Sequence, residues 1–220
     1  MISTPDKLDL AQTPTPFYPL ERLTAHLGGP RIWIKRDDLT GAATSGNKIR
    51  KLEFLLADAL AQGCDTIITS GGVQSNHCRA VALLGAQLGL KVHLLLRSDS
   101  EPKTVGNLLL DHLAGATISH YSVKAFKRLD RLFEQWQDHY QQQGSKAYAI
   151  PTGGSNGTGI WGYIDAAKEL ADDFAGHNLK PQAIVHATGS GGTQAGLMLG
   201  CHLHGIDSPV KAYAVCDSSA

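Results

Sequence analysis

The sequence predicts an α/β protein built on open, mostly parallel sheets with flanking helices, and three observations carry that prediction. Short β-branched runs alternate with longer amphipathic stretches along most of the chain, the pattern of strand–helix–strand units. Glycine-bordered segments stand where strands give way to helices. A length of 220 residues, 42% of them hydrophobic and 24 of them glycine, suits one large domain or two small ones with a substantial core.

After a proline-broken N-terminal segment, 31–36 reads as a strand and 48–62 as a helix, with Ile49, Leu52, Leu55, Leu56 and Leu60 available for its buried face and Gly63 to end it. A βαβαβ unit follows: strand 66–70, helix 75–88, strand 91–96, helix 105–113, strand 117–121. The polar stretch 124–142 continues as one helix, 147–150 as a strand, and 151–157 as a glycine-rich loop at a candidate domain junction. Beyond it come helix 159–174, strand 183–186, helix 193–204 and strand 210–215. A buried parallel strand needs neighbours and covering helices, which 216–220 do not supply, so the chain is expected to be a fragment of a longer architecture.

Twenty basic residues balance twenty acidic ones, and no Lys/Arg cluster is interleaved with aromatics. That balance argues against a nucleic acid or an anionic membrane as partner and favours a small molecule. The first residues lack a basic stretch followed by an apolar one, and no apolar run is long enough to span a bilayer, so the expected location is cytoplasmic. Cys64, Cys78, Cys201 and Cys216 have neither zinc-site pairing nor disulfide density, and are expected to be reduced and mostly buried.

Three segments carry candidate chemistry. Thr188-Gly189-Ser190-Gly191-Gly192-Thr193 links a strand to a helix, so its backbone N–H groups suit a phosphate at the positive helix end. It lacks the dinucleotide G-x-G-x-x-G spacing and the P-loop lysine, and a tight turn without ligand is the alternative. Gln74-Ser75-Asn76-His77 opens a helix where free N–H groups suit a carboxylate, with Ser75 or Asn76 as an ordinary N-cap as the plainer reading. Lys48 begins another helix, where a partly desolvated amine can lose its proton and form a Schiff base with an aldehyde, and Lys51 lies one turn on. The plainer reading of Lys48-Ile49-Arg50-Lys51 is a solvated charge run. His202 and His204 are two apart on a predicted helix and make a poor metal pair, so no metal is expected; Asp37-Asp38 reads as a turn. No hydrolase elbow is present.

Taken in order, Trp33-Ile34-Lys35-Arg36-Asp37-Asp38-Leu39-Thr40-Gly41, Gly46-Asn47-Lys48-Ile49-Arg50-Lys51-Leu52-Glu53, Gln74-Ser75-Asn76-His77, Gly153-Gly154-Ser155-Asn156 and Gly189-Ser190-Gly191-Gly192-Thr193-Gln194-Ala195-Gly196 resemble the D-cysteine desulfhydrase and 1-aminocyclopropane-1-carboxylate deaminase family of fold-type II pyridoxal phosphate enzymes. The resemblance implies a tryptophan synthase beta-like fold, with 51–158 as a small domain inserted into a larger one formed by 1–50 and 159–220, the latter incomplete at its C-terminus. It implies pyridoxal phosphate held as a Schiff base on Lys48, its phosphate held by Lys51, Gly189, Ser190, Gly191, Gly192 and Thr193, and its ring oxygen met by Asn76. Ser75, Asn76 and His77 would face a small amino-acid substrate, with Ser75 catalytic beside Lys48, and the enzyme would be a homodimer. Histidine at position 77 favours the desulfhydrase and sulfonate-lyase branches, where deaminases typically carry glutamine. The implied activity is therefore α,β-elimination from D-cysteine to sulfide, pyruvate and ammonia, with deaminase or L-cysteate sulfo-lyase activity, or an inactive cofactor-binding fragment, as alternatives. Ser45 replaces the glycine usual before Gly46, and Val73 and Cys78 also vary from the family pattern.

Overall fold

The computed structural model describes residues 3–216. Strand β1 (Phe17–Pro19) leads into a short surface helix α1 (Glu21–Leu27), which Gly28 ends in a left-handed conformation at φ 62° while its N–H bonds Thr24 O. Strand β2 (Trp33–Lys35) then returns antiparallel to β1, pairing Tyr18 with Ile34, and the Phe17 and Trp33 rings stack at 5.0 Å. The second half of this ribbon matches the predicted strand. The first half falls in the segment expected to be broken by proline, and Pro19 is tolerated because it terminates an edge strand.

Helix α2 (Lys48–Ala61) is the centre of the molecule. Leu60, expected on its buried face, is 38% exposed, whereas Arg50, Lys51 and Glu53 are buried along with Ile49, Leu52, Leu55 and Leu56. The helix is covered on more than one side. The N-terminal segment crosses it, with the amides of Leu10 and Ala11 donating to Glu53 Oε1 at 2.9 and 2.8 Å. On another side Gly162 passes so close that a Cβ there would sit 2.6 Å from Lys51 N.

Strand β3 (Thr66–Gly72), helix α3 (Asn76–Gln87), strand β4 (Lys91–Arg97), helix α4 (Asn107–Leu113) and strand β5 (Thr117–Tyr121) form the expected βαβαβ unit. The sheet is completed by β6 (Ala147–Ala149) in the order β5-β4-β3-β6, with every pairing parallel. Its central strands are buried, with Ile67, Ile68, Leu94, Leu95 and Leu96 wholly enclosed together with the small polar residues Thr66, Thr69 and Ser70 of β3. The single helix expected over 124–142 is two: α5 (Val123–Phe126), capped by the Ser122 side chain at 3.2 Å, and α6 (Leu129–Gln142). The break lies in the like-charged run Lys124, Lys127, Arg128, where repulsion between neighbouring turns offsets helix propensity. It leaves Trp136 and Tyr140 on α6 packed against the buried His93 ring.

Helix α7 (Trp161–Gly176), strand β7 (Ile184–Thr188), helix α8 (Gly192–Leu203) and strand β8 (Val210–Ala214) follow, with β7 and β8 parallel. Gly196 and Gly200 share one face of α8 with Gly192, and a Cβ on either would collide with α7 at 2.6 Å from Tyr163 Cβ or 2.5 Å from Ala167 Cβ. The two helices therefore lie almost backbone to backbone. Val185, Met198, Tyr213 and Val215 are exposed on this two-stranded layer. Cys64, Cys78 and Cys201 are buried and Cys216 is exposed, all as free thiols. Among the described residues no helix is long and apolar enough to cross a membrane.

Candidate active site

Four chain reversals meet at the start of α2. Thr40 staples the preceding loop, its hydroxyl donating to Gly46 O at 3.0 Å and accepting from Gly46 N at 2.9 Å, while Gly46 takes a φ of 105° that favours glycine. The loop thereby delivers Asn47 and Lys48 together. Lys48 Nζ donates to Asn47 Oδ1 at 3.0 Å, and Asn47 Nδ2 donates to Thr193 Oγ1 at 3.1 Å in the first turn of α8. Burial lowers the Lys48 amine below the ordinary lysine range, opposed by the nearby Cys216. A half-buried amine with a depressed pKa is a competent nucleophile toward a carbonyl.

Lys51, one turn on, is 1% exposed. Among the described residues its Nζ hydrogen-bonds only Gly153 O and Ser155 Oγ, both at 3.3 Å, and desolvation together with repulsion from Lys48 lowers its pKa to about 7. An ammonium held there with two long neutral contacts is an unbalanced charge that an anion would complete.

Two glycine loops surround these amines. At Gly153, φ 71°, a Cβ would stand 2.6 Å from Ser190 Oγ and 3.6 Å from Lys48 Cε. At Gly192 it would stand 2.9 Å from Lys51 Nζ and would overlap Ser155 Oγ. The hydroxyls of Ser155 and Ser190 join across the gap at 2.6 Å. Gly191 is left-handed at φ 80° and precedes the first turn of α8, whose free N–H groups face the same space as the loop. Glycine is thus required where Lys51 and the loop come together, and the cradle fits a phosphate-bearing aldehyde: a nucleophilic amine and a buried cation one turn apart on α2, with the N-terminus of α8 beside them.

The fourth reversal is the start of α3. Ser75 is its N-cap, with Oγ accepting from Cys78 N at 3.2 Å, so the ordinary capping role is filled. Asn76 is exposed. His77, expected beside them as a substrate contact, is 3% exposed and sits behind the site: Nε2 bonds Thr69 Oγ1 at 2.8 Å, and its ring lies against the Gly154 position. Burial and the two nearby lysines lower its pKa to about 3, so the ring is neutral. The start of α3 is tied to the Lys48 loop by Arg79, which donates to Ser45 O at 3.1 Å.

Lys48, Lys51, Ser190, Gly192 and Thr193 are therefore brought into one cluster, Gly189 and Gly191 complete its loop, and Ser75 and Asn76 stand on the neighbouring helix start. Asn47, Gly153 and Ser155 belong to the cluster without having been singled out for a role in the sequence. Asn47 adjoins Lys48, and Ser155 follows paired glycines as Ser75 follows Gly71-Gly72 nearby, which is the signal they carry. Arg50, in the same charged run, is a structural residue: its guanidinium bonds Asp37 at 2.8 and 2.9 Å and Glu169 at 2.8 Å, and Tyr163 also donates to Asp37 at 2.7 Å. The turn read at Asp37-Asp38 is a 3-10 turn, Asp37–Leu39. No cluster of three His, Cys, Asp or Glu fit for a metal occurs among the described residues.

Comparison with known proteins agrees with this chemistry. Residues 8–220 match the family described as pyridoxal-phosphate dependent enzyme. The chain is 45% identical over 217 residues to the bifunctional D-cysteine desulfhydrase/1-aminocyclopropane-1-carboxylate deaminase of Arabidopsis thaliana, covering 94% of this chain and 54% of that protein. It is 41% identical over 199 residues to a D-cysteine desulfhydrase of Serratia proteamaculans, covering 88% and 59%. A crystal structure described as an ACC deaminase homologue superposes with TM-score 0.90 at 38% identity, covering 98% of this chain and 65% of that one. A fungal L-serine ammonia-lyase from Rhizomucor miehei, 19% identical, shares the fold with TM-score 0.72 over 97% of this chain and 62% of its own. The chain spans little more than half the length of these curated relatives. With a family match over almost its whole length and a lysine, loop and helix arrangement suited to the cofactor, the chain belongs to the pyridoxal-phosphate dependent enzymes of fold-type II.

Proposed function

We propose that this chain binds pyridoxal phosphate through Lys48 and serves a carbon–sulfur lyase that converts D-cysteine and water to sulfide, pyruvate and ammonia. The observation that carries the reading is the half-buried Lys48 amine, its pKa lowered by burial, beside a glycine cradle and the under-paired Lys51. The cofactor supplies an aldehyde for attachment and a ring that delocalises the negative charge left at the substrate α-carbon. Lys51, the N–H groups of 189–193 and the hydroxyl of Thr193 hold the phosphate, and Asn76 meets the ring oxygen. Lys48 would anchor the aldehyde, and its amine, whose pKa burial lowers, would be the base placed to take the α-proton. Ser75 offers a hydroxyl to the substrate. His77 supports the wall from behind.

The test is to add pyridoxal phosphate, reduce with borohydride and map the modified peptide; label on Lys48 supports the assignment, and label on another lysine or none sinks it. Pyruvate release from D-cysteine, L-cysteate and the cyclopropane amino acid then selects the substrate, the Arabidopsis relative being named for two of these activities. The alternative reading is a chain that binds cofactor without turnover. Lys48 label with no pyruvate from any substrate would select it.

Two further assignments accompany the reading. The division into a small domain, 51–158, and a large one, 1–50 with 159–220, is supported by a four-stranded sheet drawn wholly from 66–149, and limited proteolysis near 151–158 tests it. A homodimer in the cytoplasm rests on the family resemblance and on four free thiols, which suit a reducing compartment; light scattering and fractionation test each.

A further inference from the structure

The side chain of Asn76 is held by a relay that determines which of its amide atoms faces outward. Arg79 Nη1 donates to Asn107 Oδ1 at 2.9 Å and to Asn76 Oδ1 at 3.3 Å. Asn107 Nδ2 donates to Asn76 Oδ1 at 2.8 Å and to Gln74 O at 2.9 Å. Asn107 is itself fixed by its backbone, whose N–H donates to Gln74 Oε1 at 2.9 Å, while Gln74 Nε2 donates to Val105 O at 2.9 Å. Gly106, φ 59°, makes room, since a Cβ there would lie 2.5 Å from Gln74 Oε1.

The chemistry of the relay removes the usual ambiguity of an amide, whose oxygen and nitrogen ends are otherwise interchangeable. A guanidinium donates only, so the Asn107 atom facing it is oxygen. The other end of Asn107 must then be its NH2, and the Asn76 atom facing that NH2 must be oxygen. Asn76 Nδ2 is left pointing away from the relay, whose bonds to this side chain all end on Oδ1.

We propose that Asn107 and Arg79 are positioning residues that lock the Asn76 amide with Nδ2 outward, making position 76 an obligatory donor to an acceptor oxygen on the bound ligand. This rests on the reading that Asn76 meets the cofactor's ring oxygen. Arg79 also holds Ser45 O, three residues before Lys48, so the same guanidinium sets the donor and steadies the loop that presents the amine.

The discriminating variants are N107D and N107A. The carboxylate of N107D keeps the acceptor for Arg79 but turns a second acceptor toward Asn76, which reverses its amide and presents Oδ1 to the ligand. The methyl group of N107A removes one bond to Asn76 Oδ1 but leaves the longer one from Arg79, so the amide keeps a weaker bias in the same sense. A packing role predicts that the smaller, bond-losing N107A is the worse variant; the lock predicts the opposite. We expect N107D to weaken pyridoxal phosphate binding by ~10-fold or more, N107A by ~3-fold or less, and N107D alone to shift the absorbance maximum of the bound cofactor. Inorganic phosphate, titrated in parallel, controls for the added charge and binds N107D as it binds wild type. Equal losses of cofactor and phosphate in N107D, or a larger loss of cofactor in N107A, overturn the proposal.

A ligand-free measurement separates this inference from the cofactor reading. In side-chain amide NMR of the 15N-labelled chain, with N76D and N107D used for assignment, the Asn107 NH2 protons exchange slowly with water and those of Asn76 rapidly. Protected Asn76 protons sink the lock whether or not the cofactor binds. Failure of wild type to take up pyridoxal phosphate with the predicted exchange pattern intact sinks the cofactor reading and leaves the lock standing.

Discussion

Replacing Lys51 by methionine should stabilise the ligand-free chain at neutral pH while weakening anion binding, and the sign of the first effect should reverse at high pH. Lys51 ionises at 10.5 when solvated and at about 7 in the fold, where desolvation and Lys48 act against its charge. As pH falls from about 10.5 to about 7, the unfolded chain takes up a proton that the folded chain refuses, so the fold loses stability across that window. Below about 7 the loss is complete. At about 1.4 kcal/mol per pH unit between the two values, it amounts to roughly 5 kcal/mol, an order-of-magnitude figure. Methionine fills similar space without charge but leaves Gly153 O and Ser155 Oγ without the Lys51 donor, costing about 1–2 kcal/mol at any pH. The net expectation is a gain of about 3 kcal/mol for K51M near pH 7 and a loss of about 1–2 kcal/mol near pH 11. Urea unfolding of both chains at several pH values measures this difference directly. A difference that does not change between pH 7 and pH 10.5, or a wild type more stable at pH 7, would refute the account of Lys51 as an under-paired buried cation. Saturating inorganic phosphate should stabilise wild type and not K51M, because the anion supplies the missing partner.

Other substitutions probe the same architecture. Gly192→Ala puts a Cβ 2.9 Å from Lys51 Nζ and into Ser155 Oγ, and should lower inorganic phosphate affinity by about tenfold, about 1.4 kcal/mol, by calorimetric titration. Arg50→Ala removes the guanidinium from Asp37 and from Glu169 on α7, leaving Asp37 with Tyr163 and Thr15 and Glu169 with Lys35, and should cost roughly 1.5–3 kcal/mol of stability in denaturant unfolding. His77 has a pKa lowered from 6.5 to about 3, so stability contributed by its neutral ring is lost as pH falls from about 6.5 to about 3; His77→Gln should move the acid-unfolding midpoint to lower pH. An unchanged midpoint would count against a buried neutral imidazole.

Much of the fold is legible in the chain because its periodicities are local. The strands at 66–72, 91–97 and 117–121 and the intervening helices follow from apolar runs and amphipathic stretches bounded by glycine. Strand β1 escapes that logic, since three residues ending in Pro19 become a strand only because Trp33–Lys35 returns beside them. The break at 127–128 likewise depends on a charged run weighing against propensity across a stretch that otherwise reads as one helix.

The site divides in the same way. The glycine segments and Lys48 announce themselves, because close backbone approach and a helix-initial amine are readable from residue types and order. The fate of Arg50 and Lys51 is not readable. A basic run is ordinarily solvated, and here it is buried because Glu169, 119 positions away, and Asp37 meet Arg50 while Gly153 and Ser155 close over Lys51. The outward donor at Asn76 also depends on Asn107, 31 positions on, and on an arginine that can only donate. The sequence by itself thus determined the α/β alternation, the lysine and the phosphate-suited loops. Only the tertiary structure decided which charges lose their water and which face of an amide remains free, because desolvation and hydrogen-bond direction belong to the surroundings a side chain acquires on folding.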